Sequence, residues 1–223
     1  MNPGVFDPAW TVEEVWARLF RHQPAESSAA ALRSVLARYG EPQRHWHTLR
    51  HVREMLSFVA AHPDGGHPRQ MLDVIFHDAV YDPRSKTNEE DSYWLREEVL
   101  AACGPLYPGA PAPRRRGVDA PDPGDTILAT KTHTSVDPQT RVVLDADLEV
   151  LSRPWEAYHD YSRRIRDEYA HVSDDDFRRG RTAFLESFLA RPVVYFTEPM
   201  RDREPLARAN LARELKLLRE TNV

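Results

Sequence analysis

Apolar residues in this chain recur at helical spacing, and no run alternates apolar and polar in strict period two between turn signals. That pattern leaves stacked helices, rather than a half-buried sheet, as the way to bury a core. Helix starts and stops agree with it. Thr11 and Glu14 read as a capping box ahead of VWARLF. Ser27 or Ser28 is expected to cap the next helix, and Gly40 to stop it. From about Arg44 to Ala61, a stripe of Leu49, Val52, Leu56 and Val59 predicts a helix. Pro68 opens MLDVIFHDAVY, which Asp82-Pro83 closes, and Thr87 with Glu90 reads as a second capping box for a helix running to Cys103. Helical texture resumes in DTILATKTH and TRVVLDADLEVLS. Pro154 opens another helix, and Ser173 followed by three aspartates opens the next, with acids at the positive end of the dipole. The last helix is expected at about Glu204 to Arg219, with Leu206, Leu211, Leu215 and Leu218 on it.

The reading is an all-α fold in a single domain over 1–223, without internal repeats. Residues 104–124 are the exception: rich in Pro, Gly and Arg and without a period, they read as an exposed, mobile loop. Arg114, Arg115 and Arg116 within it read as a solvated charge run.

Composition excludes several classes. A formal net charge of -5 offers no basic surface for a nucleic-acid polymer. No stretch approaches the roughly 18 apolar residues that a membrane span needs, and the start lacks the basic and apolar segments of a signal peptide. A lone cysteine, Cys103, permits no internal disulfide and suits a reducing compartment. The expectation is a cytoplasmic protein with no membrane partner; oligomeric state is not legible.

Three elements carry chemistry. In His47-Thr-Leu-Arg-His51, helical spacing puts both imidazoles on one face. His45 falls on another side. His77-Asp78 lies within an apolar run, with Met71, Val74 and Ile75 on the Asp78 face, so a carboxylate is expected where burial demands a partner or a metal. In Leu144-Asp145-Ala146-Asp147, the wheel turns Asp147 inward with Val143 and Val150 and turns Asp145 toward water with Glu149 and Ser152. Two or three histidines and two aspartates suit Mn, Fe, Co, Ni or Zn better than a pure oxygen site would, with Mg also admissible. Each element alone reads as well as a surface His pair, a buried ion pair or a helix-end acid; the combination is more specific than its parts.

The order His, His-Asp, Asp resembles the HD superfamily of metal-dependent phosphohydrolases, and the wording resembles a predicted-phosphohydrolase branch of it. WHTLRHV, FHDAVYD, TNEEDS, ATKTH, LDADLEVL, IRDEY, FLARPVVY and ARANL carry the likeness along nearly the whole chain. Two departures are the 104–124 segment, which looks inserted, and Thr48, where such motifs often carry Asn. The resemblance implies a single HD-type helical domain with one or two divalent ions held between three helices by His51, His77, Asp78 and Asp147. Asp78 would bridge a second ion, and His47 would protonate the leaving group. Lys131 and His133 in ATKTH, and Arg166 in IRDEY, are candidate substrate contacts, with helix-end and ion-pair roles as alternatives. The activity implied is hydrolysis of a small phosphorylated substrate, by analogy a nucleotide. An HD-type di-iron oxygenase and a metal-containing binding module without activity are the competing readings.

Overall fold

The structure is a computed structural model that describes residues 6–107 and 109–220. Among these residues the regular structure is entirely helical: α1 (Val12–Leu19), α2 (Ala25–Tyr39), α3 (Leu49–Ala61), α4 (Pro68–Phe76), α5 (Asn88–Cys103), α6 (Thr126–Thr130), α7 (Pro138–Asp147), a 3-10 turn at Glu149–Ser152, α8 (Trp155–Glu168), α9 (Asp174–Leu189), α10 (Glu198–Arg201) and α11 (Glu204–Glu220). None of these helices is long and apolar enough to cross a membrane. Contacts group the chain into two compact units, one ending at Ala146 and the other beginning at Asp147.

In the first unit α4 is the central helix. Seven of its nine residues are buried, and it touches α1, α3, α5 and α6. A helix buried along most of its length has little solvent face, so its neighbours fix its position from several directions. Val12, Val15, Trp16 and Leu19 of α1 and Val52, Met55, Leu56 and Val59 of α3 close over it. Each such side chain contributes roughly 1.5–3 kcal/mol by leaving water.

One polar cluster crosses this core. Arg96 is fully buried; its Nη1 donates to Asp73 Oδ1 at 2.6 Å, and its Nη2 to Asp125 Oδ2 at 2.7 Å and Glu97 Oε1 at 2.9 Å. Arg69 donates to the same two aspartates. Two guanidiniums thus face three carboxylates, and burial pushes the Asp73 carboxyl above the usual range against the pull of Arg96 and Arg69. The cluster ties α4 and α5 to Asp125, whose carboxylate caps α6 by accepting from the Ile127 N–H. It borders a cavity of about 240 Å³ that Arg114 and Asp137 also line.

The 104–124 segment is largely exposed, as expected. It is also tied to α5: Glu97 Oε2 accepts from the Arg114 N–H at 2.6 Å, the Tyr93 hydroxyl from the Asp122 N–H at 3.3 Å, and Arg116 pairs with Asp91. Gly104 ends α5 at φ 101°, a left-handed conformation that glycine adopts without penalty. A Cβ there would stand 2.5 Å from Gln23 Oε1.

In the second unit α11 packs on α8, α9 and the 3-10 turn. Its centre is again a buried ion pair. Glu214 accepts from Arg181 Nε at 2.8 Å, from Ser162 Oγ at 2.7 Å and from the Tyr158 hydroxyl. Leu211 and Leu215 are buried on the same helix, whereas Leu206 is exposed.

Several start signals behave differently from their sequence reading. The Thr11–Glu14 capping box forms, and Ser173 caps α9. Ser28, however, lies inside α2, which begins after Pro24, and its hydroxyl accepts from Trp16 Nε1 at 2.9 Å. Thr87 makes no capping bond: its hydroxyl donates to Asp91, and Glu90 is engaged by Lys131.

Candidate metal centre

His51, His77 and Asp78 each present one donor atom, and these atoms lie within 4.8 Å of one another. The elements that bring them together differ from the helical spans expected. α3 starts at Leu49, so His51 sits in its first turn while His47 precedes the helix in a tight turn closed by Thr48 N–H to the Trp46 carbonyl at 2.8 Å. The two rings still converge edge to face, with centroids 6.1 Å apart. Their proximity comes from this turn rather than from a shared helical face. His45 is exposed.

Likewise α4 does not continue through His77-Asp78. It stops at Phe76, His77 caps it, and Asp78 stands in the following turn. The cause is tertiary. Beyond Phe76, side chains outside the helix take up the backbone: Arg44 donates to the Asp78 and Ala79 carbonyls, and Ser92 Oγ accepts from the Val80 N–H. The turn delivers His77 fully buried and Asp78 about one-fifth exposed.

His77 Nδ1 lies 2.8 Å from the Val74 carbonyl, an acceptor only, so this nitrogen carries the proton. Nε2 is the ring nitrogen left to face the site, 2.8 Å from Asp78 Oδ2. Orientation of a ligating imidazole by a backbone carbonyl is a recurrent device of metal sites. Two imidazole nitrogens and a carboxylate oxygen make a donor set suited to a divalent transition metal. His47 is outside the three-donor group, with Nε2 4.0 Å from Asp78 Oδ2 and its side chain one-fifth exposed. Its ring stacks on Tyr81 at 4.2 Å.

The remaining candidates are not members of this three-donor group. Asp147 is the last residue of α7 and opens the second unit, where it lies near enough to Tyr161 to help raise that phenol's pKa, although burial is the main cause. Asp145 corrects the helical wheel: it is fully buried, not turned to water, because α7 has no solvent face at this point, with Val142, Val143, Leu144 and Ala146 buried around it. Lys131 is held by Glu90 at 2.8 Å and the Lys86 carbonyl at 2.7 Å, and the Glu90 bond, with the Glu89 charge nearby, raises its pKa. His133, at φ 49°, is the one described non-glycine residue in the left-handed region, and its N–H closes α6 on the Ala129 carbonyl. Arg166 spans the α8–α9 connection, bonding the Tyr169 and Val172 carbonyls and the Asp174 carboxylate. That ion pair is the alternative its sequence context allowed.

Two neighbours escaped the sequence reading, Arg44 and Tyr81. Arg44 carries no signal of burial in its local pattern. Tyr81 lay in plain view in FHDAVYD, four residues after His77.

No family model matches the chain, and no curated protein or solved structure is significantly similar to it.

Proposed function

We propose that this chain is a metal-dependent phosphohydrolase of the HD type, acting on a small phosphoester or phosphoanhydride. The observation that carries the reading is the convergence of His51, His77 and Asp78 with His77 Nδ1 already committed to the Val74 carbonyl. In this reading those three residues hold a divalent transition metal, and the resemblance adds Asp147 as a fourth ligand. A bound metal of this kind supplies Lewis acidity toward a phosphoryl oxygen and toward water. The protein's own groups do the rest. His77 and His51, both buried, exclude bulk water from one side of the site. His47 Nε2, partly exposed and outside the donor group, holds the proton that the leaving oxygen takes up. Tyr81 limits the orientations open to that ring.

The test joins metal analysis to a substrate screen. Protein purified without chelator should carry about one or two equivalents of transition metal, and Mn, Co or Ni added to stripped protein should support hydrolysis of phosphoesters. Neither metal nor hydrolysis under any of these ions would end the proposal. Metal without hydrolysis, but with dioxygen consumption, would replace it by the oxygenase reading.

A further inference from the structure

Arg44 lies three residues before His47, and its side chain is fully buried. Its Nη1 donates to the His47 carbonyl at 3.1 Å and to the Asp78 carbonyl at 2.7 Å. Nη2 donates to the Ala79 carbonyl at 3.2 Å, and Nε to Glu41 Oε2 at 3.2 Å. The guanidinium also faces two rings, Tyr39 at 5.0 Å and Tyr81 at 5.5 Å. Tyr39 in turn donates to the Ile75 carbonyl in α4, and Tyr81 carries the His47 ring.

One cation therefore joins two segments 30 residues apart in sequence: the turn ahead of α3 and the turn after α4. Neither segment has a helical ladder to define it. The carbonyls just past a helix C-terminus need outside donors, and here a single side chain supplies them to both turns. Only a planar fork with five N–H donors can serve three carbonyls and a carboxylate while stacked between rings; an ammonium is a point charge with three donors and no plane.

We propose that Arg44 is a positioning residue for the metal centre. It sets the separation between the His47–His51 segment and His77-Asp78, and hence the affinity for a divalent ion. This rests on the reading of the site as a metal centre. Arg44 itself is no ligand: its hydrogen bonds run to backbone carbonyls and to Glu41.

The test uses the full chain carrying Arg44→Lys or Arg44→Gln, with Arg50→Lys, an exposed partner of Glu54, as the control. Co²⁺ is titrated into the metal-free proteins well below their melting temperatures, and amide exchange is followed without metal. Arg44→Lys should bind Co²⁺ about 10–100-fold more weakly than the parent, the range for loss of an outer supporting contact. Exchange should rise together in residues 45–48 and 77–80 and stay unchanged in α8 and α11. In the parent protein, the Thr48 and Ala79 amides should share one opening. The proposal is overturned if folded Arg44→Lys keeps parental affinity, or if the two segments open independently in the parent. That second measurement decides the matter even if both variants fail to fold. If the parent binds no Co²⁺, the metal reading fails, while shared or separate opening still reports on the clamp alone.

Discussion

At the scale of single residues, the proposed function gives the holding of a metal and the movement of a proton to different side chains. His47 stands outside the three-donor group, so His47→Ala should retain metal while losing about 10²–10⁴-fold in rate. The loss should shrink on nitrophenyl esters, whose leaving group needs no proton. Loss of metal together with activity on every substrate would make His47 a ligand. The two acids of α7 give a second contrast. Asp147→Ala should reduce metal content, whereas Asp145→Ala should leave metal in whatever protein still folds. The buried Asp145 carboxylate should show its importance in stability, at about 1–3 kcal/mol. Urea melts and metal analysis on both variants distinguish these outcomes, and metal loss confined to Asp145→Ala would reverse the assignment.

At the scale of elements, composition hid the attachments of the 104–124 segment. Its arginines do read as a solvated run, but Glu97 and Tyr93 of α5 accept its backbone N–H groups. Replacing 105–122 with a short Gly/Ser linker should therefore cost about 1–3 kcal/mol, the range for buried groups left unsatisfied. That corresponds to a fall in Tm of several degrees for a chain of this size, and an unchanged Tm would show that these bonds contribute nothing net. In the second unit, burial pushes the Glu214 carboxyl up, but the bonds from Arg181, Tyr158 and Ser162 outweigh it and hold the group below its ordinary range. A carboxyl whose folded pKa is depressed contributes fully above its unfolded value, about 4.3. The contribution is lost as pH falls from there through the lower folded value, where the unfolded chain binds the proton first. Glu214→Gln should thus be less stable at pH 7 by about 3–5 kcal/mol, since it leaves Arg181 buried without its counter-charge. Its stability should also vary less steeply than the parent's below about pH 4.5. Chemical melts across pH 3–7 test both.

At the scale of the molecule, a metal that binds the folded chain and not the unfolded one must raise stability by mass action. An ion at 100 times its Kd adds about 2.7 kcal/mol, so Tm should rise by about 5–10 °C with Mn or Co and fall back on chelation. A Tm indifferent to every divalent ion would count against the metal centre independently of any activity assay.

Apolar periodicity and cap chemistry are local, and they sufficed for helices as the regular structure, for the Thr11 and Ser173 starts and for the Gly40 stop. The residue types at 51, 77 and 78 sufficed to nominate a metal-binding group, because two imidazoles and a carboxylate in apolar settings are costly without a shared partner. What those motifs did not contain was the backbone that bears them. Helical spacing placed His47 and His51 on one face and His77-Asp78 inside a helix, yet His47 and His77-Asp78 stand in turns and only His51 is helical. A turn there depends on side chains distant in sequence, Arg44 donating to the Asp78 and Ala79 carbonyls and Ser92 Oγ accepting from the Val80 N–H, which compete with the helical ladder only once the chain is packed. A tertiary partner likewise drew Ser28 from capping to Trp16. Local pattern decides where a helix is favourable; long-range hydrogen bonding decides where it ends, and at this site the ends carry the chemistry.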